Sequence, residues 1–344
     1  MMKKNLLVFI FAVVLNILTA QDFHFSQFYN TPLTTNPALT GMTEGGFRVG
    51  AIYRNQWWNS SQDFVNTSFS TPAVFVDAPI YIKNSALGLG LVLLNDRVAG
   101  GLLNDYGIAG SISYILGLGK NKKHLLSFGL QGNYTNRNFS NNLQFASQFQ
   151  NNEFNASYGT PESLKGRSFN HFDANAGLVY LAKINDKIKI NVGFSVFNIA
   201  ATDYGYIQNN SKDNYRRFSG QIGGEFAVAP KVFLLPSILF MQQGNINQMN
   251  SGLALGYGFN EKTKLYLGAY ARSAGWVKDL QMDAVIAYAG LDINRFKVGL
   301  SYDYTVSGLR KAPKNTGAVE LSLIYTHARN EVKIPPLNLI CPRF

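Results

Sequence analysis

The chain has 344 residues, a formal net charge of +11, 25 Phe, 18 Tyr and 32 Gly, and only 15% of it is charged. That charge content lies well below the roughly 25% of soluble domains, while mean hydropathy close to zero argues that apolar and polar faces average out along the chain rather than forming apolar blocks. A single cysteine, Cys341, excludes an intramolecular disulfide framework.

Residues 1–20 read as a secretory signal and stand outside the fold. Met1-Met2-Lys3-Lys4 supplies a basic start, Leu6 to Leu18 an apolar run, and Thr19-Ala20 a small residue before Gln21. A membrane helix needs about 20 apolar residues, and Asn16 interrupts this run. Cys341 is far from the cleavage site, so there is no lipobox. Without Lys3 and Lys4 the exported chain keeps a net charge near +9. A basic balance can signal nucleic acid, but an exported chain rarely meets it, and the lysines fall in short turns rather than in a basic helix.

Residues 21–44 form an aromatic, Pro-containing lead segment in which Phe23, Phe25, Phe28 and Tyr29 are the bulky groups. Pro32 and Pro37 restrict it, and Asn36 before Pro37 is expected to be extended. The segment reads either as an extension packed beneath the turns or as a plug that enters a lumen. Its constraints and aromatic content favour plugging or capping.

Residues 45–328 read as strands. From Arg295 to Ala328, Phe296, Val298, Leu300, Tyr302 and Tyr304 alternate with Lys297, Gly299, Ser301, Asp303 and Thr305; then Val319, Leu321, Leu323 and Tyr325 alternate with Ala318, Glu320, Ser322 and Thr326. A period of two gives each strand one apolar face, and the other face carries carboxylates that a dry core would not accept unpaired. Apolar outside and polar inside is the pattern of a transmembrane antiparallel β-barrel. Fourteen strands are counted, within a range of 12–16, starting near Gly46, Val65, Ala86, Asp105, His124, His171, Lys187, Tyr215, Lys231, Met249, Lys264, Gln281, Phe296 and Thr316. Gly88, Gly90, Gly107 and Ala109 on the face opposite the leucines suggest a crowded or curved wall.

The connections after even-numbered strands are short, such as Asn185-Asp186, Ala229-Pro230 and Asn260-Glu261. Those after odd-numbered strands tend to be long, near 137–168, 201–214, 272–280 and 306–315. Short periplasmic turns and long external loops fit an outer-membrane barrel. Lys83, Lys120, Lys122, Lys123, Lys187, Lys231, Lys262 and Arg295 gather on the short-turn side. A soluble sandwich or propeller would also alternate, but no blade-length repeat is visible.

Several side chains invite a functional reading. Trp57 and Trp58 follow the first strand at its outer end, and Trp276 is expected in another external loop. An interfacial aromatic girdle accounts for them, while Arg54 beside the tryptophans suits a partner-docking surface. Inward charges Asp173, Glu225, Asp283, Asp303, Glu320 and Lys297 are expected to pair across strands or bond to a plug, and Lys297, Asp303 and Glu320 are grouped as a lumen charge network. Enzyme signatures are weak: His24, His124, His171 and His327 are scattered without metal spacing, and no local nucleophile motif appears. The two later histidines that open strands, His124 and His171, suit an interfacial polar role. Gly117-Leu118-Gly119 and Gly223-Gly224 have no following helix and are not phosphate loops. No cofactor or metal site is expected.

The pieces Gln21-Asp22-x-His24-Phe25-Ser26-Gln27-Phe28, Asn36-Pro37-Ala38-x-x-Gly41, Tyr53-Arg54-Asn55-Gln56-Trp57, Asn95-Asp96 with Gly100-Gly101, and Cys341-Pro342-Arg343-Phe344 carry a further signal. With them the mature chain resembles the PorP/SprF-type outer-membrane proteins of the type IX secretion system. The resemblance implies a non-enzymatic barrel in the outer membrane of Bacteroidetes-type bacteria, including gliding ones. It implies work beside the translocon for a particular secreted or cell-surface protein, with translocon and periplasmic components and outer-membrane lipid as partners. The alternative is a small-solute channel through the polar lumen.

The last strand stops near Thr326, and Pro335-Pro336 prevents its continuation, so residues 329–344 are expected to form a periplasmic tail. Deleting Pro335–Phe344 is expected to weaken partner assembly more than barrel formation; a truncated protein that never reaches the membrane would overturn that assignment.

Overall fold

The computed structural model describes residues 23–58, 68–119, 121–140, 148–150, 153–155, 168–201, 215–276, 279–308 and 317–329. The segment read as a signal, Gln21, Asp22, Lys120, most of the long connections and the tail from residue 330 lie outside the described residues.

The alternating stretches form strands. They are β1 (Phe47–Gln56), β2 (Phe69–Ile82), β3 (Ser85–Val98), β4 (Leu103–Leu118), β5 (His124–Phe139), β6 (Phe149–Gln150), β7 (Glu153–Phe154) and β8 (Ser168–Lys183). After these come β9 (Ile188–Phe197), β10 (Arg217–Ala229), β11 (Val232–Gln243), β12 (Ile246–Gly258), β13 (Thr263–Trp276), β14 (Asp279–Ile293), β15 (Phe296–Thr305) and β16 (Ala318–His327). The short β6 and β7 pair with each other inside the long connection between β5 and β8. The other fourteen close into one antiparallel barrel in chain order, with β1 meeting β16. Fourteen is the number read from the sequence, and each strand starts within a few residues of its expected position.

The seam between β1 and β16 sets the register: Arg54 faces Glu320, and Ile52 faces Ser322. Along β16, Leu321 and Leu323 are about half exposed, while Glu320 and Ser322 are buried. A slip of one residue would turn Glu320 and Asp303 toward lipid and the leucines inward. Register is therefore strongly specified wherever the two faces differ this much.

One expected loop is a strand instead. The connection placed at 272–280 narrows to residues 277–278, because the β13–β14 ladder continues from Ser273↔Met282 to Trp276↔Asp279 past a bulge at Arg272/Ser273. Trp276 therefore ends β13 rather than sitting in an external loop. The pattern was hidden because the bulge breaks the alternation that marks the rest of the strand. His171 also departs from expectation. It lies inside β8, buried on the inward face, because the strand begins three residues earlier at Ser168.

The lead segment packs against the inward faces of the strands. It contains the helical turns Phe28–Asn30, Pro32–Thr35 and Pro37–Leu39, with Asn36 extended at φ −159° and ψ 122° as its place before proline requires. It enters beside Arg217, at the long-connection end of β10, where the Arg217 side chain donates to the Phe23 carbonyl at 3.5 Å. It leaves beside His327, at the short-turn end of β16, whose carbonyl accepts from Gly46 N–H at 3.0 Å.

Glycine makes the close approach possible. A Cβ on Gly88 or Gly129 would strike the backbone of Thr40 or of Pro37 and Ala38, and one on Gly299 would meet Gln27 Oε1. The crowding inferred from Gly88 and Gly90 thus has a cause: the lead segment lies against that wall. Gly129→Val is expected to lower stability by about 1–3 kcal/mol, the usual cost of overpacking. Gly132→Val, whose Cβ meets nothing within 4 Å, should leave the urea midpoint in detergent unchanged. Equal effects at the two sites would refute the contact.

Candidate functional site

A row of inward hydroxyl and amide groups satisfies the backbone of the lead segment. Ser113 Oγ donates to the Thr40 carbonyl at 2.6 Å, Ser127 Oγ to Ala38 at 2.7 Å, Gln131 Nε2 to Leu33 at 3.1 Å and Ser195 Oγ to Thr35 at 3.1 Å. Asn36 Nδ2 reaches the carbonyls of Leu178 and Phe194 at 3.3 and 3.1 Å, while its Oδ1 accepts from Ala38 N–H at 2.9 Å. The segment's helical turns satisfy part of its backbone internally, as where Asn36 N–H donates to the Pro32 carbonyl at 2.9 Å, and the wall supplies partners for other buried carbonyls.

Near the long-connection end, the segment meets a buried ion network. Arg54 Nη1 lies 2.5 Å from Glu320 Oε1 and 3.0 Å from Asp303 Oδ2, and Arg272 Nη1 lies 2.7 Å from the same Asp303 oxygen. Arg272 Nε reaches Asp283 Oδ2 at 2.8 Å. These groups come from β1, β16, β15, β13 and β14, so the network crosses the seam where the first and last strands meet. Ser26 sits at its centre. Its hydroxyl donates to Asp303 Oδ2 at 2.6 Å and accepts from Arg54 and Arg272 at 3.0 and 3.2 Å. The N–H groups of Ser26 and Gln27 donate to the two Glu320 oxygens at 2.7 and 2.8 Å, and Gln27 Nε2 donates to Ser301 Oγ at 3.1 Å.

A second pair holds the other end. Arg48 grips Asp77 bidentately at 2.9 and 2.7 Å, directly across β1 and β2, and Asp77 Oδ2 also accepts from Gly41 N–H at 2.7 Å. Arg137 and Asp105 form a third bidentate pair between β4 and β5, at 2.7 and 2.5 Å. The forked guanidinium matches a carboxylate in both contacts at once, which fixes orientation as well as charge.

The aromatic residues of the segment fan out onto different walls. Phe25 packs with Ile52 and Ala73, flanked by Phe23 and Leu94. Phe28 meets Leu239 and Met241. Tyr29 lies edge-on to Tyr288, with ring centroids 5.1 Å apart, and tilted against Tyr270 at 5.6 Å. Two narrow crevices of about 20 Å³ each run beside the segment, the first by Tyr29, Met42, Arg48 and Gln221, the second by Phe23, Arg217, Ser219 and Met241. Phe28 and Thr35 border both.

These placements sort the residues singled out in the sequence. Asp303 and Glu320 are together, as grouped. Lys297 is not with them: it lies near the short-turn end of β15, opposite Asp292. Its place is taken by Arg54 and Arg272. Arg54 faces inward and is buried, so it does not share a surface with Trp57 and Trp58, which are half-buried above it. Trp57 lies edge-on to Phe69 and Trp58 to Tyr302, while Trp276 is exposed. Asp283 pairs with Arg272, and Glu225 with Lys189 across β9 and β10 at 2.9 Å. Asp173 accepts from the N–H groups of Ala174 and Ala200. His124 opens β5, its ring exposed and 2.7 Å from the Tyr180 hydroxyl.

Sequence reasoning missed Arg272, Ser26, Arg48 and Asp77. Arg272 was read into a loop. Parity alone offered a signal for the other two charged residues, since Arg48 falls on the same face of β1 as Gly50 and Ile52, and Asp77 on the same face of β2 as Ala73 and Phe75.

A closed, fourteen-strand barrel with an apolar outer face and an ion-paired polar interior defines an outer-membrane β-barrel. A family model described as "Type IX secretion system membrane protein PorP/SprF" matches residues 17–325, and the chain belongs to that family. No curated protein matches it in sequence. Among solved structures it is similar to a TodX monoaromatic hydrocarbon channel deltaS2 mutant, at 11% identity and TM-score 0.57, covering 88% of this chain and 94% of that one. The Pseudomonas putida toluene transporter TodX follows at 10% identity, TM-score 0.52 and coverages of 86% and 93%. A Pseudomonas aeruginosa FadL homologue stands at 10% identity, TM-score 0.51 and coverages of 86% and 94%. At these identities the likeness is one of fold.

Removing one partner from a buried ion pair leaves an uncompensated charge, at a cost of about 3–5 kcal/mol. Arg272→Met and Glu320→Gln are therefore expected to lower stability in detergent by several kcal/mol, whereas Ser26→Ala should cost about 1 kcal/mol. Urea titration ranks the three, and a Glu320→Gln effect no larger than that of Ser26→Ala would sink the network's structural role.

Proposed function

We propose that this chain is a non-enzymatic outer-membrane component of type IX secretion that binds or retains a specific secreted or cell-surface protein beside the translocon. Residues 1–20 act as its export signal, and residues 21–44 plug or cap the lumen. One observation carries the reading: Ser26 and Gln27 are held by Glu320, Asp303, Arg54 and Arg272 at 2.6–3.2 Å, so the interior serves to fix a segment of the chain itself. With the interior committed, recognition falls to the long connections near 137–168, 201–214 and 306–315, with Trp57, Trp58 and Trp276 at the same mouth. The short-turn face and the tail at 329–344 meet periplasmic machinery.

The second reading is a small-solute channel. The two crevices favour it, because together they follow the segment from Arg217 to Arg48. TodX, whose fold is similar, is a toluene transporter.

Affinity purification from native membranes in mild detergent separates the two. A secreted protein or translocon subunits at near-stoichiometric amounts, lost when the 137–168 and 306–315 connections are shortened, is the expected outcome. A solitary barrel that conducts steadily in a planar bilayer would replace the first reading with the second.

A further inference from the structure

We propose that the short-turn rim is a binding ring for the phosphate headgroups of anionic glycerophospholipids. Six short connections join β2 to β3, β4 to β5, β8 to β9, β10 to β11, β12 to β13 and β14 to β15. Each carries at least one basic residue: Lys83, then Lys122 with Lys123, Lys187, Lys231, Lys262 and Arg295. All are exposed except the half-buried Lys122. The carboxylates among the described residues of these connections are Asp186, paired with Lys183 at 2.7 Å, and Glu261. The rim is therefore strongly positive, whereas Arg97, Arg216 and Asp279 give the opposite rim both signs.

Lys83 and Lys122 have φ of 46° and 48°, in the left-handed region. Tight hairpin turns with positive φ favour Asn and Gly. Asparagine therefore fits both turns at least as well as lysine.

The location names the ligand. Tyr114, Tyr180, Tyr257 and Phe296 point outward and stay exposed near the short-turn ends of β4, β8, β12 and β15. Such aromatics mark the level of the lipid headgroups, and a lysine stem reaches from the turn to that level. These aromatics and the basic turns are spread around the whole circumference. A protein docked on one side would need a one-sided patch; a lipid annulus meets every turn equally. Clustered Lys and Arg at a membrane surface attract anionic lipid, and salt screens the attraction.

The test uses the full-length barrel in phosphatidylcholine vesicles containing a trace of spin-labelled phosphatidylglycerol or spin-labelled phosphatidylcholine. The mobility-restricted fraction of each label gives its relative affinity for the protein surface. A preference of about threefold or more for phosphatidylglycerol, abolished at about 0.5 M salt, is the expected result. Lys83→Asn and Lys122→Asn, joined with Lys231→Gln and Lys262→Gln, should remove most of it. The asparagines suit the left-handed turns, and the salt titration of the unaltered protein stands whether or not the variant assembles. Equal affinity for the two lipids overturns the proposal. A preference that survives both salt and substitution overturns it too, as does binding of polyglutamate with no lipid preference, which would assign the rim to an acidic protein.

Discussion

The arrangement of this molecule depends on two guanidinium groups buried beside three carboxylates. Arg54 and Arg272 bridge Glu320, Asp303 and Asp283 across five neighbouring strands, and the bridge spans the seam where the chain closes on itself. Charges taken out of water are costly unless geometry and further hydrogen bonds satisfy them. Here the extra donors come from Ser26 and Gln27. Closure of the barrel and placement of the lead segment are thus one event energetically, since neither set of polar groups is satisfied without the other.

The remainder of the inward face follows from the same requirement. The carbonyls that the segment's helical turns leave over need hydroxyls and amides from the wall, and the segment needs room. Serines at 113, 127 and 195 provide the first; glycines at 88, 129 and 299 provide the second. Because the wall fits the segment's backbone rather than its side chains, much of the recognition concerns path and register. The aromatic side chains then fasten the segment to opposite walls, Phe25 toward β1 and β2 and Tyr29 toward β13 and β14.

The two ends of the barrel are chemically unequal. Tight turns with repeated basic groups make one rim uniform around the circumference, while Arg97, Arg216 and Asp279 leave the other mixed in sign. Uniformity suits a planar, repetitive partner such as a leaflet.

The sequence by itself determined the barrel, its strand number and its polarity, because alternation with period two is a local property that lipid on one side and water or charge on the other impose residue by residue. It also singled out the aromatic lead segment, the paired Asp303 and Glu320, and the basic turns, each by composition at a known parity. It did not reveal which cations those carboxylates meet. Lys297 is near Asp303 in the chain but well down the strand from it, whereas Arg54 and Arg272 reach it from strands hundreds and tens of residues away. The bulge at Arg272/Ser273 erased the alternation that would have placed Arg272 in a strand. Only closure of the tertiary structure brings the first strand beside the last, and that contact decides which charges are neighbours and where the lead segment can be held.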